Sequence, residues 1–156
     1  MSAAIAFRTP LPLYQEALAF WQELEYESER HVKAVNGVAL EHGLDSGHLV
    51  DWKSGRGIIG IGRKWYPSTD ISVSLSFERW GPVLKVLVTG HQHEDLRFYP
   101  EELEVLVARD LDGRTVAVMG EGRSYSPREF ACYLIQHLRR CFPDMALPCE
   151  PTDCRE

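Results

Sequence analysis

Two amphipathic stretches, one towards each end, and a string of short β-prone runs between them predict an α+β protein. The expected architecture is an antiparallel sheet of about five to seven strands, with an N-terminal and a C-terminal helix packed on one face. No internal repeat or linker divides the 156 residues, which is close to the usual size of one domain. The sequence therefore predicts a single α+β domain over residues 1–143 and a polar, Pro- and Cys-containing tail over 144–156.

The first helix is expected from about Pro12 to Arg30. Leu13, Tyr14, Ala17, Leu18, Trp21 and Leu24 recur at the three-and-four spacing of one helical face, and Phe20 widens that stripe. Glu16, Glu23 and Glu27 mark the opposite face. Turn residues then punctuate the chain at Asn36-Gly37, Asp45-Ser46-Gly47, Ser54-Gly55, Pro67-Ser68 and Gly81-Pro82. Short apolar runs fall between them, at Val38–Leu40, His48–Trp52 and Ile58–Ile61.

Two runs carry a stronger strand signal. Ile71, Val73, Leu75 and Phe77 alternate with Ser72, Ser74 and Ser76, the pattern of a strand buried on one side. Val83–Thr89 follows after a tight connection at Trp80-Gly81-Pro82 and should pair with it. A second hairpin is expected from Glu104–Arg109 and Arg114–Met119, because Asp112-Gly113 between them supplies the positive-φ residue such turns need.

The last helix has the clearest start. Ser126, Pro127 and Glu129 stand where a capping residue, a first-turn proline and a reciprocal carboxylate belong. Phe130, Ala131, Leu134, Ile135, Leu138, Cys141 and Phe142 then trace one apolar face, and Pro143 ends it.

The net charge of −6 disfavours nucleic acid and anionic membrane surfaces, both of which bind through Lys and Arg. No apolar run reaches the length of a membrane span, and the opening MSAAIAFRTPLPLY has no basic segment ahead of an apolar core. The expectation is a cytoplasmic protein. Its four cysteines, Cys132, Cys141, Cys149 and Cys154, are then expected as reduced thiols. Cys132 and Cys141 project from nearly opposite sides of one helix, and Cys149 and Cys154 lack a standard zinc spacing, although the tail leaves room for them to pair.

Motifs with chemical content are few. Gly55-Arg56-Gly57-Ile58-Ile59-Gly60 fits G-x-G-x-x-G, but the glycines enter a β-prone run where a dinucleotide site needs a helix. Tight turns explain them better. His91 and His93 fall on one side of an extended chain, where both imidazoles reach a metal with Asp95 or Glu94 as an oxygen ligand. The stretch resembles part of the H-x-H-x-D-H signature of metallo-β-lactamase-type hydrolases. It breaks at Leu96, covers five residues, and lies in a chain too short for that two-layered fold. No G-x-S-x-G elbow is present, Ser126 has a role as a cap, and Cys141 with His137 lacks a third orienting group.

What remains points to recognition. The acidic balance suits a basic partner protein, with Glu23, Glu27 and Glu29 steering it and the turn aromatics Trp65 and Trp80 as anchors. The expected function is a small, acidic, non-enzymatic protein-binding module with no cofactor. An immunity-like inhibitor, a secretion-chaperone-like adaptor or a phage or plasmid accessory protein would fit. The alternatives are a metal-dependent enzyme centred on His91 and His93, and a small-ligand binder with a cavity between sheet and helices.

Overall fold

The chain begins with α1, Leu13–Glu41. There follow β1 (Asp51–Gly55), β2 (Ile58–Arg63), β3 (Thr69–Glu78), β4 (Gly81–Gln92), β5 (Arg97–Phe98), β6 (Glu101–Arg109), β7 (Thr115–Val118), β8 (Ser124–Tyr125) and α2 (Pro127–Cys141). The computed structural model describes residues 13–41, 43, 50–63, 69–92, 97–98, 101–120 and 122–141. The tail and the turns at Asp45-Ser46-Gly47 and Pro67-Ser68 lie outside them.

The fold is α+β, as the sequence predicts. Seven antiparallel strands follow one another across the sheet in the order β1-β2-β3-β4-β6-β7-β8, and the two-residue β5 pairs with the end of β4. Each long strand thus lies beside its predecessor in the chain, which short turns permit.

Register decides which side chains share a face. Ile61 is level with Ile71, Ile71 with Val88, Leu84 with Val105, Val107 with Ala117, and Ala117 with Tyr125. All of these are buried, and they form one cluster with Ala17, Phe20, Trp21 and Leu24 of α1 and Phe130, Ala131, Leu134 and Ile135 of α2. Both helices cover that face and pack on each other. The other face carries Ser72, Ser74 and Lys85, and its exposed Lys53, Leu87 and Glu104 point away from the helices. The serine alternation of β3 therefore reads in the expected register, with Ile71 and Val73 inward.

The helix α1 departs from expectation. It continues eleven residues beyond Arg30, through Asn36-Gly37 and the Val38–Leu40 run that read as turn and strand. Two things hold the extension. Val32 and Val35 keep the helical spacing and are buried. Asn36 reaches out of the helix to Val50 ahead of β1, accepting from its N–H at 2.8 Å and donating to its C=O at 2.9 Å. An Asn that reads locally as a turn former is here a tertiary clamp. The stripe also rotates: Tyr14 and Leu18, expected inside, are exposed, while Phe20 is buried.

The turns explain the glycines. Arg56 and Gly57, with φ of 55° and 75°, make the tight β1–β2 turn, so the G-x-G-x-x-G string is a hairpin. In the β6–β7 hairpin, Asp110 Oδ1 accepts from the N–H of Asp112 and of Arg114, and Gly113 adopts φ 80°. The β7–β8 turn repeats the same backbone pattern, with Gly122 at φ 82°. At α2, Ser126 Oγ accepts from Glu129 N at 3.1 Å and Glu129 Oε1 accepts from Ser126 N at 3.2 Å, the reciprocal cap the sequence predicts. Among the described residues, no helix is long and apolar enough to cross a membrane.

Candidate functional site

Antiparallel pairing brings the β3–β4 and β6–β7 turns to one end of the sheet, since Val83 is level with Leu106. The ion pair of Arg109 with Glu16 fixes the start of α1 at the same end. Several large apolar side chains are exposed at this end. Tyr14 stacks on Phe77 with ring centroids 4.4 Å apart. Trp80, in the β3–β4 turn, is 60% exposed, and Leu111, at the tip of the β6–β7 hairpin, is 87% exposed. Phe77 belongs to the core-facing set of β3, but the strand outruns the helices at this end and leaves Tyr14 as its neighbour.

Beside this apolar end is a cavity of 460 Å3. Its origin is topological. The strand β8 pairs only with Ala117 and Val118, and the chain then turns at Ser126 into α2. Thr115 and Val116 are left without a β8 partner, and the first turn of α2, the flank of α1 and the β6–β7 hairpin wall off the space. Ala19, Phe20, Val116 and Pro127 give it apolar walls; Glu16, Glu23, Asp110 and Glu129 give it carboxylates; among the described residues Arg114 is its one cation.

These charges are unequally engaged. Arg114 donates to Asp112 at 3.0 Å and lies 3.8 Å from Asp110. The hydrogen bond to Asp112, then the charges of Asp110 and Asp112, raise its pKa above the ordinary value. Glu129 is held by the cap. Glu16 pairs with Arg109, and its Oε2 is buried with no hydrogen-bond partner among the described residues. Glu23 is exposed and forms no ion pair among the described residues.

The structure separates the other residues expected to bind a partner. Glu27 pairs with Arg30 at 2.8 Å and Glu29 with Lys33 at 3.0 Å, so the charges of both are matched within α1. Glu23 alone of the three faces the cavity. Trp80 stands at the apolar end; Trp65 lies outside the described residues. His93 and Asp95 also lie outside them, and His91 is described only as part of the β4 backbone. Among the described residues, no three His, Cys, Asp or Glu side chains gather in a way that could hold a metal ion.

Sequence reading placed Glu16 on the same helix face as Glu23 but missed Asp110, Arg114 and Glu129 as their neighbours. It also expected reduced thiols, whereas Cys132 is wholly buried and disulfide-bonded. The side chains of the other three cysteines lie outside the described set.

No family model matches the chain. Neither a curated protein nor a solved structure matches it.

Proposed function

We propose that this protein is a small, acidic, non-enzymatic protein-binding module that engages its partner through the hairpin end. The observation that carries this reading is the exposure of large apolar side chains at one end of the sheet: Tyr14 stacked on Phe77, Trp80 in the β3–β4 turn and Leu111 at the tip of the β6–β7 hairpin, with the carboxylates of Glu16 and Asp110 at the same end. Single exposed hydrophobics are ordinary, but several large ones at one end of a sheet, with charged residues beside them, have the composition of a recognition surface. Aromatic side chains in such a place bury large areas at small entropic cost, so they anchor interfaces. The carboxylates beside them favour a basic partner and would speed its encounter.

The test is affinity capture from the native host with the wild-type protein and with Trp80→Ala and Tyr14→Ala. A partner held by the wild type should be released by either variant, each change weakening binding by about 2 kcal/mol or more if the residue is a hot spot. Capture that is equal for all three proteins would place the binding face elsewhere. Retention of no partner at all would end the reading.

A further inference from the structure

We infer that the outer edge of β1 receives an extended segment of another protein, which joins the sheet as a further antiparallel strand beside Trp52, Lys53 and Ser54. This surface is apart from Trp80 and Leu111 and stands independently of the hairpin-end reading.

β1 ends the strand order, and among the described residues no strand pairs with its outer side. Register tells which backbone groups that side presents. Arg56 and Gly57 close a two-residue turn, so Gly55 and Ile58 exchange both hydrogen bonds, and Lys53 with Gly60 and Asp51 with Gly62 repeat the pattern. The N–H and C=O of Val50, Trp52 and Ser54 therefore point outward. The Asn36 carboxamide already takes the pair on Val50, donating to the C=O and accepting from the N–H as a neighbouring strand would. The backbone pairs of Trp52 and Ser54 have no partner among the described residues. Such a row of unpaired groups is a template for an added strand.

The side chains along the edge define the segment. Lys53 is exposed and forms no ion pair among the described residues. The residue across from it in an antiparallel neighbour stands at the closer, non-hydrogen-bonded spacing, where a carboxylate is favoured and a like charge repels. Ser54 points to the other face and donates to Glu25 Oε2 at 2.8 Å. Glu25 forms no ion pair among the described residues, so a basic residue fits across from Ser54. Trp52 packs part-buried against the core and favours an apolar neighbour. Along the incoming strand the order is basic, acidic, apolar.

A second copy of this chain does not meet these terms. The register that uses both open pairs sets Lys53 against Lys53 of the other copy. The remaining registers need the Val50 groups, which Asn36 holds, or extended backbone at Arg56, whose φ is 55°.

The test uses the full chain and the peptide acetyl-Thr-Arg-Glu-Val-Thr-amide, followed by backbone amide shifts and hydrogen exchange. Without peptide, the Trp52 and Ser54 amides should exchange much faster than that of Lys53, which is bonded to Gly60. We expect millimolar affinity. At about ten times the Kd, exchange at Trp52 and Ser54 should slow about tenfold. The peptide with Lys in place of Glu should bind several-fold more weakly, and Lys53→Glu should reverse that order without moving the thermal midpoint. Methylation of the peptide's Arg nitrogen, which would donate to the Ser54 C=O, should abolish binding. Trp52 and Ser54 amides already protected without peptide, equal binding of the Glu and Lys peptides, or a dimer formed through β1 would each overturn the inference.

Discussion

Replacing Asn36 with alanine removes the clamp between α1 and the entry to β1. The carboxamide makes two hydrogen bonds to Val50, one to its N–H and one to its C=O, and Val50 is buried. Truncation strands both groups, at about 1–2 kcal/mol each where solvent is kept out. Alanine returns about half a kcal/mol through its better helix propensity. The expected net loss is about 1.5–3.5 kcal/mol, a large part of the 5–15 kcal/mol typical of a domain. Urea unfolding would report it as a lower midpoint with an unchanged slope. Hydrogen exchange adds a local reading, since the Val50 amide should lose protection more than amides of β3. Asn36→Asp keeps an acceptor for the N–H but sets a carboxylate against the C=O, so it should be no milder at neutral pH. If Asn36→Ala unfolds within about 0.5 kcal/mol of the wild type, α1 is not held by this clamp.

Gly37→Ala should stabilise the protein by about 0.5–1 kcal/mol, because Gly37 is exposed inside α1 and an added methyl meets nothing within 4 Å; thermal melts would show it, and a loss would mean the chain turns there. Ser126→Ala should cost about 1 kcal/mol in urea unfolding by breaking the reciprocal cap. The Glu78 carboxyl is held below the usual range by hydrogen bonds from Lys85 and Ser76 and by the Lys85 charge, so its contribution is present above the ordinary carboxylate pKa and fades as pH falls through the lowered value. Carboxyl-carbon NMR titration should find the Glu78 midpoint shifted up towards the ordinary value in Lys85→Met.

The fold was legible where structure is local. Ser126 and Glu129 bond to each other three residues apart, and Phe130, Leu134 and Ile135 repeat within one helix, so α2 could be read directly. Asp112-Gly113 likewise marks its own turn. The second half of α1 was not legible, because Asn36 gains its meaning from Val50, fourteen residues on, beyond any helical period. The β7–β8 turn was missed although Gly122 has the same role as Gly113. Of the candidate site, Glu23 could be named from its charge and Trp80 from its place beside the Gly81-Pro82 turn signal. Their relation to Asp110, Arg114 and Glu129 could not, since about a hundred residues separate the walls of the cavity and only the packing of α1 against the β6–β7 hairpin brings them together.

The strand order implies an order of assembly. Every long strand pairs with its predecessor, so the sheet can zip hairpin by hairpin through short loops that cost little closure entropy. The contact of α1 with α2 is different: it joins segments from opposite ends of the chain and buries Phe130 and Leu134, which nothing covers until α2 docks. On this order docking of α2 is expected to be a late event, after the main barrier. Stopped-flow kinetics of Leu134→Ala should show faster unfolding and nearly unchanged refolding; a slowed refolding limb instead would put α2 in the nucleus.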